Sequence, residues 1–86
     1  MNYVVYILYS RSFDKTYVGY TRDLIDRFKS HNNLATKGYT VRYRPWEVMH
    51  VEFFLNKSEA IQREKFFKSG IGREKIKLLK EAYLKY

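Results

Sequence analysis

The sequence predicts an α+β domain: a small three-stranded antiparallel sheet flanked by helices, in the order β-β-α-β-α-α. Three observations carry that expectation. Two tyrosine-bearing runs of β-branched and aromatic residues, 3–9 and 16–20, stand close together with breaker-type residues between them. A third such run, 46–54, follows a polar, basic stretch. Beyond it, a cap signal and two glycines divide the remaining chain into two helical patterns.

The first strand is apolar on both faces, with Tyr3, Val5, Ile7 and Tyr9 on one and Val4, Tyr6 and Leu8 on the other. A strand of that kind is covered on both sides and lies centrally. Ser10, Ser12 and Asp14 make the hairpin loop before the second strand. A helix should begin near Thr21, which can cap it, with Asp23 favourable in the first turn. Leu24, Ile25 and Phe28 supply its buried stripe, and Asn32-Asn33 ends it. Residues 34–45 read as a basic loop closed by Pro45, ahead of the third strand. Asn56 with Glu59 three residues later is a capping-box-like start for a second helix. That helix runs to about Ser69, where Gly70 stops it. Gly72 leads into a last helix from Arg73 to about Lys85, with Ile76, Leu79 and Tyr83 on one face.

Eighty-six residues leave room for one core, so residues 1–86 are expected to form a single domain. Sixteen aromatic side chains give that core enough area without staples. Cysteine is absent, which rules out a disulfide framework and a thiolate metal site and fits a reducing compartment. The apolar stretch 3–9 is far too short to cross a bilayer, and no secretory pattern precedes it. The expectation is a soluble, cytoplasmic protein with no membrane role. Net charge is +8, and each half of the chain contributes +4. A positive field spread in this way suits a polyanionic partner such as nucleic acid. A basic protein whose charge serves solubility alone is the plainer reading.

Glu64 is the most telling position. It lies three residues from both Ile61 and Phe67, on or beside the apolar stripe of the second helix. A carboxylate there needs a cation. Lys68 at i+4 could supply one, or a tyrosine hydroxyl could bond it. A hard divalent ion such as Mg²⁺, which takes one or two protein carboxylates alongside water and phosphate oxygens, is the functional alternative. Arg27 and His31, four apart, share one helix face. A guanidinium can clamp a phosphate and stabilise charge growing on it, and an imidazole can bond a phosphate or move a proton. Without a function, the pair is a solvated helix face. Tyr6 and Tyr17 have core packing as their default role. Their ordinary pKa near 10 makes them awkward bases, but a phenol can orient a water acidified by a metal. Lys37, Tyr39, Arg42, Tyr43 and Arg44 interleave cations with aromatics, a pattern that grips phosphates and stacks on bases. Otherwise they are a surface loop with its rings folded inward. The lysines of the last helix spread around its axis and point to a solvated face. No Gly-rich phosphate loop, HExxH or serine nucleophile turn is present.

In that arrangement the chain resembles the GIY-YIG nuclease superfamily, and most of all its small stand-alone bacterial members related to the nuclease domain of the ABC excinuclease. Val4-Val5-Tyr6 stands at the first signature tripeptide and Tyr17-Val18-Gly19 at the second. Asp23-Leu24-Ile25-Asp26-Arg27 with His31 matches the family's arginine helix, and Arg63-Glu64 its acidic position. Lys37-Gly38-Tyr39-Thr40 and Arg44-Pro45-Trp46 resemble the stand-alone subgroup's middle segment. The match runs from residue 3 to about 75, with Val4 in place of the first signature glycine. The resemblance implies hydrolysis of DNA phosphodiesters with one divalent metal, Mg²⁺ or Mn²⁺. Glu64 would hold the metal, Arg27 would stabilise the scissile phosphate, and Tyr17, or alternatively Tyr6, would activate or orient water with His31 assisting. It also implies a small antiparallel sheet between helices.

The leading expectation is therefore a metal-dependent DNA endonuclease acting on branched or single-stranded DNA, in repair or recombination. A non-catalytic nucleic-acid binding module on the same scaffold, or a small partner-binding protein, are the alternatives from other classes. Neither a homodimer nor a protein partner can be read from the residues.

Overall fold

The computed structural model describes residues 2–34 and 37–85. Within them β1 (Tyr3–Ser10) and β2 (Lys15–Thr21) form a hairpin, followed by α1 (Leu24–Lys29) and a π-helical turn, Ser30–Leu34. A single helical turn, α2 (Tyr39–Arg42), precedes β3 (Glu47–Phe54), α3 (Lys57–Phe67) and α4 (Gly70–Lys85). The order β-β-α-β-α-α and the α+β class hold, with α2 as an addition. The sheet is antiparallel in the order β2-β1-β3, so β1 is central as its two apolar faces require.

Alternation along β1 divides the core in two. Val5 and Ile7 pack with Val18 of β2, Ala60 and Phe67 of α3 and Ile76 of α4. Tyr6 and Leu8 point the other way, to Tyr17, Leu24, Phe28, Tyr43 and Trp46. The sheet thus lies between an α3–α4 layer and a layer made by α1, the π-helical turn and α2. A shift of register between Ile7 and Leu8 pairs Tyr6 with Val51 and Leu8 with Val48, bringing both valines to the second layer.

Several boundaries differ from expectation, each for a local reason. Asp23, not Thr21, caps α1: its carboxylate accepts from Asp26 N at 3.0 Å, while the Thr21 hydroxyl accepts from Asp23 N at 3.1 Å. Regular helix stops at Lys29 because tertiary ties take over. Arg44 donates to the Ser30 and His31 carbonyls at 3.1 and 2.6 Å. Asn32 clamps Trp46, donating to its carbonyl at 3.0 Å and accepting from its N–H at 2.6 Å. The expected loop 34–45 contains α2, introduced by Gly38 at φ 112° and pinned by Trp46 Nε1 donating to the Thr40 carbonyl at 2.7 Å. Residues 35 and 36 of that loop lie outside the described residues. Asn56 caps α3 as anticipated, accepting from Glu59 N at 2.9 Å. Gly70 opens α4 three residues before the expected start, since the Ser69 hydroxyl accepts from Gly72 N at 3.2 Å. Gly72 permits this tight corner, because a Cβ there would lie 1.8 Å from the Phe66 carbonyl oxygen. None of the described helices is long and apolar enough to cross a membrane.

Candidate active site

Glycine at position 19 creates the site. Tyr6 on β1 pairs directly with Gly19 on the edge strand β2, and a Cβ at 19 would stand 2.4 Å from the Tyr6 hydroxyl. With no side chain in the way, the Tyr6 ring lies across β2 and carries its phenol toward the sheet edge. A glycine inside a strand signals such a close approach. That signal is present in Tyr17-Val18-Gly19, yet Gly19 is not among the residues nominated from the sequence.

Four of the nominated groups gather around this phenol. The Tyr6 hydroxyl lies 2.9 Å from His31 Nε2 in a buried hydrogen bond. Tyr17, one turn of the pleat from Gly19, packs its ring 6.4 Å from that of Tyr6 and 4.9 Å from the His31 imidazole. Arg27 reaches in from α1 and Glu64 from α3, both near enough to influence Tyr6 electrostatically. Burial, followed by the Tyr17 phenol, pushes Tyr6 up to about 12; hydrogen bonding and charge from Arg27 pull it down, and Glu64 adds a smaller upward push. His31 is held below its ordinary value of 6.5, first by burial and then by the charges of Arg27 and Arg44. Tyr6 is therefore a protonated phenol at neutral pH and His31 a neutral imidazole, matched as donor and acceptor.

Arg27 and His31 do not share one exposed face. The π-helical turn that begins at Ser30 puts His31 out of register with α1, so His31 is buried while Arg27 is exposed. Glu64 is half-buried, with its side chain 19% exposed, and accepts from Lys68 Nζ at 3.2 Å. The i+4 lysine weighed from the sequence is thus its cation. Among the described residues no group of three or more His, Cys, Asp or Glu lies together. An ion at Glu64 would draw one ligand from protein and the rest from water and substrate oxygens, which fits Mg²⁺ or Mn²⁺ rather than a closed protein cage. The lysine ammonium already occupies the cation's place beside the carboxylate.

The basic-aromatic segment divides by role. Arg44 ties the π-helical turn, as described above. Tyr39 stacks at 6.1 Å on Tyr17, with an interplanar angle of 29°, and remains 44% exposed. Tyr43 packs edge-on against Phe13, and the cations of Lys15 and Arg42 each lie 5.5 Å from its ring. Lys37 and Arg42 are exposed. Arg63, beside Glu64, pairs with Glu52 of β3 through Nε at 2.7 Å and Nη2 at 3.1 Å, and covers the rings of Phe66 and Phe67.

Residues 2–77 match the family model described as the GIY-YIG catalytic domain. The chain is 38% identical over 85 residues to a UPF0213 protein of Clostridium perfringens, covering 99% of this chain and 89% of that one. It is 41% identical over 75 residues to a UPF0213 protein of Oceanobacillus iheyensis, covering 87% and 86%. Among solved structures it is similar to the solution NMR structure of a UPF0213 protein from Bacillus halodurans, with a TM-score of 0.55 and 31% identity, over 93% of this chain and 86% of that chain.

Proposed function

The chain belongs to the GIY-YIG family, among its UPF0213 proteins, and on that footing we propose that it is a divalent-metal-dependent DNA endonuclease acting as a single domain. One observation carries the reading: four groups from four separate segments, His31, Tyr17, Arg27 and Glu64, meet around the buried Tyr6 phenol.

Glu64 would hold Mg²⁺ or Mn²⁺, which when bound supplies charge neutralisation to the phosphate and makes water more acidic. Arg27, exposed on α1, grips the scissile phosphate and stabilises the charge that grows on it. Tyr6 does not act as a free phenolate, because ionising a phenol of pKa about 12 at pH 7 costs on the order of 7 kcal/mol. Instead it relays. As its hydroxyl proton moves onto His31 Nε2, its oxygen takes a proton from water, and no free phenolate forms. The neutral state favoured for His31 leaves Nε2 open to that proton. Of the two tyrosines, we assign the relay to Tyr6, which bonds the imidazole, and packing of the imidazole to Tyr17. Sixteen aromatics and a charge of +8 are consistent with a nucleic-acid substrate.

The test is a cleavage panel of duplex, flap, forked and single-stranded DNA with Mg²⁺ and Mn²⁺. Wild type should cut at least one substrate, and Glu64→Ala and Arg27→Ala should not, with circular dichroism unchanged. Equal activity in all three proteins would refute the assignment. The Lys68–Glu64 ion pair favours one rival, a non-catalytic nucleic-acid binding module whose acid is already neutralised. Salt-sensitive binding without cleavage under either metal would select it.

A further inference from the structure

A cleft of about 360 Å³ opens on the far side of Tyr17, between the β2 edge and the corner where α3 meets α4. It shares walls with the site already described. Tyr17, which packs against His31, forms one wall, and Lys68, whose ammonium meets Glu64, forms another. Tyr39 lines it too, its ring stacked on Tyr17 yet 44% exposed. The floor is apolar, built from buried Val18 and Phe67. Arg73 stands at the rim, exposed, and its guanidinium pairs with no acid among the described residues.

These walls differ in chemistry in a way that selects a ligand. Rings above an apolar floor offer stacking to a flat aromatic group, which every nucleobase presents. Two cations at the rim, one unpaired, call for an anion beside that ring system. The volume falls at the low end of ligand-sized pockets, about 300–1,000 Å³, enough for one nucleoside. A base inside a duplex has its faces and pairing edge engaged, so it cannot enter without leaving the stack.

We propose that this cleft is a nucleotide subsite, seating one unpaired base of a polynucleotide against Tyr39 while Arg73 and Lys68 hold its phosphate. The subsite rests on the reading of the neighbouring site as one that takes nucleic acid. Because Tyr17 and Lys68 belong to both, the seated nucleotide adjoins the scissile phosphate. Stacking in the cleft fixes which phosphodiester lies beside Tyr6, and it confers a preference for strands that are already unpaired.

Binding of a fluorescein-labelled single-stranded oligonucleotide, with EDTA present to hold cleavage off, tests the idea by anisotropy. An abasic tetrahydrofuran unit is walked through the strand. One position should cost about tenfold in affinity, and Tyr39→Leu should erase that positional dependence. Arg73→Gln, at an exposed residue outside the catalytic set, should weaken binding several-fold and reduce the salt slope by about one. Unchanged affinity and salt slope in Arg73→Gln, or an equal abasic penalty at every position, would overturn the subsite. Cleavage by wild type that Arg73→Gln and Tyr39→Leu leave untouched would do the same while the nuclease assignment stands. A position-specific abasic penalty in a protein that cleaves nothing would keep the subsite and remove the nuclease.

Discussion

Glu52 and Glu64 are nearly equally buried, with side chains 22% and 19% exposed, yet they are held in opposite ways. Glu52 receives two bonds from the Arg63 guanidinium and one of 2.8 Å from His50 Nε2. Burial alone would raise it, but the hydrogen bonds and charges of Arg63 and His50 outweigh that and hold it below the ordinary carboxylate value. Its acceptor capacity is filled by fixed partners, one of them the planar fork of an arginine. Glu64 has one hydrogen bond among the described residues, at 3.2 Å, from a flexible lysine that is itself half-exposed. The first carboxylate ties β3 to α3. The second keeps room for a ligand. Burial does not separate a structural acid from a functional one; saturation of its oxygens does.

The largest effect that would break this comparison is on activity. Glu64→Ala should lower cleavage on the order of 10³-fold or more at nearly unchanged stability, whereas Glu52→Ala should leave the turnover of the folded fraction within a few-fold. Steady-state rates beside thermal melts check this, and matched losses in both variants would dissolve the distinction. Next in size is Gly19→Ala, which drives a methyl into the Tyr6 phenol. Displacing that group should cost about 10²-fold in rate, with about 1–3 kcal/mol of overpacking seen by urea unfolding. A fully active Gly19→Ala protein would mean that the position of Tyr6 is irrelevant to the reaction.

Stability gives the converse. Glu52→Ala leaves the Arg63 guanidinium without its partner and should cost about 1–3 kcal/mol, lowering Tm by several degrees. Glu64→Ala should cost less, because Lys68 is exposed enough to be solvated.

The smallest effects lie in the pH dependence. His31 is depressed below its unfolded value of 6.5, so the unfolded chain binds the proton first. Its contribution to stability is intact above pH 6.5 and is lost as pH falls from there through the folded value. Glu52 is depressed below 4.5 and acts lower: its contribution is present above 4.5 and is lost as pH falls through its folded value. Urea titrations between pH 7 and 3 should show two steps, with His31→Gln removing the upper and Glu52→Gln the lower. A single step that survives in His31→Gln would place the upper titration elsewhere.

Much of the fold is legible because β1 is apolar on both faces, which only a central strand tolerates. Asn56 and Glu59 likewise mark the start of α3 from local chemistry alone. Elements set by distant partners are not legible. Trp46 pins α2 through Thr40, and Arg44 takes the carbonyls of the π-helical turn, so loop-like segments acquire form from residues up to fourteen positions away. Arg44 illustrates the same limit for function. In sequence it is one more cation in a basic run, but its guanidinium is bonded inward.

By itself the sequence determined which side chains were candidates: an acid on an apolar stripe, two strand tyrosines, and an arginine and a histidine at i+4. Such choices are written in residue type and short-range spacing. Only tertiary structure decided which of them meet. Tyr6 reaches its neighbours because Gly19 lacks a side chain across the strand pair, and His31 faces that phenol because the helix widens at Ser30. Whether a carboxylate is saturated, as in Glu52, or left with one loose lysine, as in Glu64, depends on partners that strand pairing and helix packing bring from elsewhere in the chain. Local spacing carries no record of that distance, and so the final geometry belongs to the fold.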